Sequence, residues 1–143
     1  MKVEGEGKVE RREENMNPTN LRYHEEHEWI RVEGKQATLG ISDFAQDALG
    51  DIVFIELPKP GTKVTAGQQL GEIESTKTTS ALYTPVSGTI SKINAELKDH
   101  PEVVNADPYG KGWIAVIELS GPAEVEKLMT ASQYEQFLTS QKK

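Results

Sequence analysis

Residues 73–88 read IESTKTTSALYTPVSG and set one lysine, Lys77, among small hydroxylated residues. The flanking runs LGEIES and SALYT favour strands, and TPVSG supplies the break after them. Lys77 then falls at the tip of a hairpin. No cysteine or histidine lies close by in the chain, and no apolar run encloses it. A solvated lysine titrates near pH 10.4, so at neutrality it is a protonated, poor nucleophile. Lysines that do chemistry themselves are desolvated. An exposed amine can instead be a handle to which another enzyme, bringing its own base, attaches a group. The plainer alternative is a solubilising charge, the common fate of an exposed lysine. Thr76, Thr78 and Thr79 are β-branched and stiffen the turn without crowding it. The nearest other lysines are Lys63 and Lys92, so geometry singles out one amine.

Working outward, the centre of the chain reads as strand and turn. DIVFIEL is followed by the breaker PKPG, then KV, AGQ and LGEIES; beyond the lysine come SALYT, TISKI and WIAVIEL. Pro58, Pro60 and Pro85 sit at strand ends, where a missing N–H is tolerated. A spacing echo runs through this region. Gly50, Ile52 and Ile55 recur as Gly88, Ile90 and Ile93, while Leu70, Ile73 and Glu74 recur as Ile114, Ile117 and Glu118. The offset grows from 38 to 44, which places about six extra residues within 96–113 of the second unit. Two such units predict a mainly β, flattened, pseudo-twofold barrel or sandwich.

Before the centre, 29–32 and 37–41 flank Gly34 as a hairpin, and SDFAQDALG gives a short helix capped by Ser42 and stopped by Gly50. After it, Pro122 suits a first turn, and SQYEQFL carries a capping box from Ser132 to Glu135. Val125, Leu128, Met129, Phe137 and Leu138 form the apolar stripe of this C-terminal helical segment. Residues 1–16 hold five acidic and four basic side chains and no aromatic, and read as a solvated extension or tag, with Met16 as a candidate natural start. Residues 17–143 form the single domain.

Composition narrows the function. The 143 residues contain no cysteine, which excludes disulfides, thiolate metal sites and a cysteine nucleophile. The formal charge of −7 argues against nucleic acid and anionic membranes and for partners with basic faces. Apolar runs such as IVFI and WIAVI are too short to span a bilayer, and the acidic N-terminus has no signal core. GKGW lacks the strand–loop–helix context of a phosphate loop, and Ser75, Ser80 and Ser87 have no histidine in local reach. Glu72 and Glu74 share one strand face and are expected to be solvated. The segment HEEHE, residues 24–28, offers His24, His27 and Glu28 to a metal-dependent hydrolase, but its spacing misses HExxH by one residue. A solvated polar approach to the first strand is the expectation there.

The run from Gly50 to Asn94 resembles a biotinyl/lipoyl carrier domain: a strand–lysine–strand hairpin, then TPVSG. With YHEEHEWIRVEG and GISDFAQDALGDIVF before it and VVNADPYGKGW after it, the chain from about residue 21 is similar to the glycine cleavage system H protein family. A biotin carrier would show Met on both sides of the lysine, where this chain has Thr. The resemblance implies a lipoyl-type hybrid barrel with short peripheral helices. It implies lipoic acid joined to Lys77 as an amide, with Glu74, Ser75, Thr76 and Thr78 as the context of attachment. The implied partners are the P protein (glycine decarboxylase), the T protein (aminomethyltransferase), the L protein (dihydrolipoyl dehydrogenase) and a lipoate ligase or lipoyl transferase. A non-catalytic, monomeric carrier in the cytoplasm, or the mitochondrial matrix of a eukaryote, goes with it. The family tucks the loaded arm into a cleft, and Glu28 falls where a carboxylate would meet the cargo's ammonium; a plain surface glutamate is the alternative. Ala48 and Ala81 stand where relatives are sometimes polar. Tyr109 and Trp113 are expected to close the barrel edge. The rival readings are a lipoyl or biotinyl domain of another complex, the metal hydrolase, and an unmodified carrier-like partner protein.

Overall fold

The structure, a computed structural model, describes residues 17–141; the expected extension 1–16, with Met16, lies outside them. Two antiparallel sheets face one another. The larger has six strands in the order β1 (Arg22–Tyr23), β2 (Glu28–Glu33), β3 (Gln36–Ile41), β9 (Ala115–Leu119), β8 (Gly88–Ile93), β5 (Lys63–Val64). The smaller orders β4 (Ile52–Ile55), β6 (Gln69–Ser75) and β7 (Thr79–Tyr83). The expected mainly β sandwich is therefore present, and the two sheets do not close into a barrel.

Local chemistry places each element. Gly34, at φ +63, opens the two-residue turn between β2 and β3, where an L side chain would be strained. Helix α1 (Asp43–Leu49) starts at Ser42, whose hydroxyl accepts from the Ala45 amide at 3.2 Å. Helices α2 (Val103–Ala106) and α3 (Ala131–Gln141) and two 3-10 turns, Ala95–Lys98 and Pro122–Lys127, lie around the sheets. The capping box of α3 is not Ser132–Glu135. Thr130 and Gln133 form it, the Gln133 amide donating to Oγ1 at 3.2 Å and the Thr130 amide to Oε1 at 2.9 Å. The helix begins earlier than expected because T-x-x-Q serves as well as S-x-x-E, and this start lets the fully buried Tyr134 stack on Tyr23.

The spacing echo is real in three dimensions. Its first copy is β4 with β6, Ile55 opposite Ile73; its second is β8 with β9, Ile90 opposite Ile117. A strict repeat would put Ile93 opposite Ile117, but Ile93 faces Ala115, a two-residue slip that keeps the same faces inward. One copy sits in each sheet, and Ile52, Ile55 and Ile73 meet Ile114 and Ala115 in a shared core. The extra residues of the second unit build α2 and the 3-10 turn before it. A separate aromatic core under α3 holds Tyr23, Trp29 and Tyr134.

Candidate functional site

The β6–β7 hairpin ends at Lys77, with Thr76, Lys77 and Thr78 all exposed. Ser75 builds the turn. Its amide donates to the Thr78 carbonyl at 2.8 Å, while its hydroxyl accepts from the amides of Lys77 at 3.3 Å and Thr78 at 3.1 Å. This is a serine turn, in which a short side chain replaces backbone partners that a three-residue reversal lacks. The expectation gave the stiffening to the threonines; hydrogen bonding gives it to Ser75. A second anchor comes from outside the hairpin: the Thr76 amide donates to the Asp51 carbonyl at 2.9 Å.

The stem of Lys77 lies across Gly50. A Cβ on Gly50 would stand 3.4 Å from Lys77 Cε and 3.9 Å from Cδ. Gly50 has φ +83 and ψ −156, a backbone region open in practice to glycine alone, and it ends α1 through a bond to the Gln46 carbonyl. Among the described residues no carboxylate comes within ion-pair distance of the Lys77 ammonium. Glu74 is exposed, opposite Phe54 on one side and Thr79 on the other. Glu72 is exposed too, as expected.

The segment 24–28 corrects the sequence reading. Glu28 is 1 % exposed, neither a surface glutamate nor part of a solvated approach. Its Oε2 accepts from the Tyr83 amide at 2.9 Å and its Oε1 pairs with His24 Nδ1 at 2.9 Å. His27 holds φ +77, which turns the chain tightly enough to aim the Glu28 side chain inward. His27 Nδ1 lies 2.7 Å from the Tyr134 hydroxyl, itself 2.7 Å from Ser42 Oγ. The two imidazoles thus serve different partners, and no three metal-binding side chains converge among the described residues. Pattern reading missed this network because it takes apolar periodicity as the mark of burial, whereas Glu28, Ser42 and Tyr134 are buried with polar partners and the two histidines half-buried beside them.

Burial sets the electrostatics. Desolvation raises the Glu28 carboxyl above its ordinary range, against the pull of His24 and the Tyr83 amide. The hydrogen bond to Glu28 raises His24, outweighing that residue's own burial. Burial lowers His27, and it pushes the Tyr134 phenol up to about 12. His27 is therefore a neutral acceptor at pH 7, and the hydroxyls can run Ser42 to Tyr134 to His27. His24 lines a cleft of about 320 Å³ with Leu128, Met129 and Phe137. Tyr109 accepts the Asp43 amide at 2.8 Å, and with Trp113 it packs on the aromatic core. Both were expected to close a barrel edge; with no closed barrel, they cover the aromatic core instead. Ala48 is exposed and Ala81 half-buried, opposite Glu72.

A family model described as "Glycine cleavage H-protein" matches residues 21–141. A glycine cleavage system H protein from Anoxybacillus flavithermus is 54 % identical over 121 residues, 85 % of this chain and 95 % of that protein. The one from Bacillus subtilis is 53 % identical over 119 residues, 83 % and 94 % of the two chains. The crystal structure of a glycine cleavage system H protein from Mycobacterium marinum superposes with a TM-score of 0.77. That structure is 40 % identical and covers 83 % of this chain and 96 % of its own.

Proposed function

The chain belongs to the glycine cleavage H-protein family, and from that membership we propose that Lys77 is where its lipoyl group is attached. The family is the lipoyl carrier of the glycine cleavage system, and this chain is such a carrier. The observation that carries the Lys77 assignment is an exposed amine, on a turn held by Ser75 and Asp51, with no carboxylate partner among the described residues. These residues fit the group. Amide formation at Nζ removes a charge that no ion pair uses, taking the formal −7 to −8, and asks for no room inside the body.

Held as an amide on Lys77 Nζ, a lipoyl group would supply the disulfide–dithiol couple for carrying the aminomethyl group of glycine between the P and T proteins, with the L protein as the partner that would restore the disulfide. The protein's part is position. Ser75 and the Asp51 carbonyl fix the direction in which the Lys77 stem leaves the body. The stem leaves across Gly50. Tethering keeps each transfer local, at an effective concentration on the order of millimolar. The exposed Glu74 and Thr76 to Thr78 are what a lipoate ligase or lipoyl transferase would meet beside the amine. The relatives compared are bacterial, and no described helix is long and apolar enough to cross a membrane; cytoplasmic residence is part of this proposal.

Glu28 takes a second role, as the opposite charge for the cargo's ammonium. What supports it is a carboxylate in the interior, held by the Tyr83 amide on one oxygen and by His24 on the other; at 1 % exposure it would meet the ammonium only if His24 gave way. Glu28→Gln should shorten the half-life of the loaded arm, and an unchanged half-life would remove Glu28 from the site. The function as a whole is tested with Lys77→Arg in a system reconstituted from P, T and L proteins. Glycine-dependent NAD reduction is expected to fall to background; an undiminished rate would end the assignment.

A further inference from the structure

The turn that carries Lys77 does not stand on its own hairpin. It rests on residues 50–52, and those are held from the far side by Asn105. The Ile52 amide donates to Asn105 Oδ1 at 2.9 Å, and Asn105 Nδ2 donates to the Gly50 carbonyl at 2.9 Å and to Gln46 Oε1 at 2.9 Å. Between the two backbone groups gripped by that one amide lies Asp51, whose carbonyl accepts from the Thr76 amide. Gly50, in turn, is the surface across which the Lys77 stem lies.

We propose that Asn105 is a positioning residue for the modification of Lys77: it sets the strap 50–52, and the strap sets the turn. This rests on the reading of Lys77 as the attachment point. The chemistry admits few substitutes. Only a primary amide presents an acceptor to one backbone amide and two donors to two oxygens in one plane. Aspartate would keep the bond to the Ile52 amide but turn a carboxylate oxygen on the Gly50 carbonyl and on Gln46. The orientation of the amide is fixed by its partners, since the Ile52 N–H requires oxygen and the Gly50 carbonyl requires nitrogen. Gln46 is fixed likewise, because its own Nε2 donates to Asp43 at 3.1 Å. Asn105 is held in place by α2, whose Val104 is fully buried in the core between the sheets. A segment remote in sequence thus determines how the amine is presented.

The test uses the full chain with lipoate, ATP and a lipoate ligase, comparing wild type, Asn105→Asp and Asn105→Ala. In the folded variants the Thr76 amide should exchange with solvent about tenfold faster, the loss expected of one backbone hydrogen bond, and KM for the ligase should rise about tenfold with it. Acylation of Lys77 by a small water-soluble reagent should change by less than about twofold, because the amine's exposure is untouched by the loss of that bond. A merely structural role would open amides throughout and leave KM unmoved in the fraction still folded. Wild type alone gives an independent reading: the Ile52 and Thr76 amides should open together, with one exchange free energy. Separate opening of those amides, or an unchanged Thr76 amide and KM in folded Asn105→Asp, would overturn the proposal. A wild-type protein that takes no lipoate at Lys77 would instead overturn the reading beneath it.

Discussion

Gly50 holds a backbone conformation that side chains resist, at van der Waals distance from the Lys77 stem. Gly50→Ala should therefore cost about 1–3 kcal/mol in chemical denaturation, the usual strain of that region. His27 makes a different prediction. Its folded pKa is lowered by burial, so its contribution to stability is complete above the unfolded value of 6.5 and is lost as pH falls toward the folded one. Asparagine tolerates a positive φ and puts an oxygen near the place of Nδ1. His27→Asn should hold stability at pH 8 to within about 1 kcal/mol and flatten the decline as pH falls below about 6.5, read by denaturation across pH. A decline as steep as in wild type would place the acid sensitivity elsewhere. His24 works in the opposite sense: raised by its bond to Glu28, it stabilises below 6.5 and loses that contribution as pH rises through its folded value. At this scale Lys77 was legible from its neighbours, because an exposed amine needs only an unobstructed turn. Glu28 was not, because its burial depends on a Tyr83 amide 55 positions away.

Among the elements, α3 is tied down by polar bonds as well as by packing. Tyr134 stacks on Tyr23 with ring centroids 4.6 Å apart and joins His27 to Ser42 through its hydroxyl. Tyr134→Phe keeps the stack and removes the link. It should cost about 1–3 kcal/mol, because His27 Nδ1 loses its partner in a half-buried place. Calorimetry would measure the cost, and a change under about 0.5 kcal/mol would mean that water replaces the hydroxyl. The β2–β3 hairpin shows a comparable dependence. Trp29 sits opposite Gly40, where any Cβ would fall 2.5 Å from the indole, and its Nε1 donates to the Ile41 and Pro108 carbonyls. The strands, α1 and its cap could be read from sequence, since turn glycines, Ser42 and β-rich runs are local signals. The start of α3 could not. Two capping boxes overlap there, and burial of Tyr134 against distant partners decides between them.

At the scale of the whole molecule, the doubled unit explains why the lysine hairpin has no counterpart. The copies share strands, β4 with β6 and β8 with β9, but only the first continues into a tight turn and a third strand of its own sheet. The second copy joins β3 and spends its extra residues on α2, which returns Asn105 to the strap beneath Lys77. Repeat spacing made the duplication legible. The link back from α2 was not, since a lone Asn among apolar neighbours carries no signal of what it grips. What remains is a body that holds the Lys77 amine at a fixed place on its surface. Peptide mapping after the full chain is incubated with lipoate, ATP and lipoate ligase tests attachment at Lys77. One lipoyl adduct is expected, on Lys77, and none on Lys77→Arg; an adduct on another lysine, or an arginine variant modified as fully as wild type, would contradict the assignment.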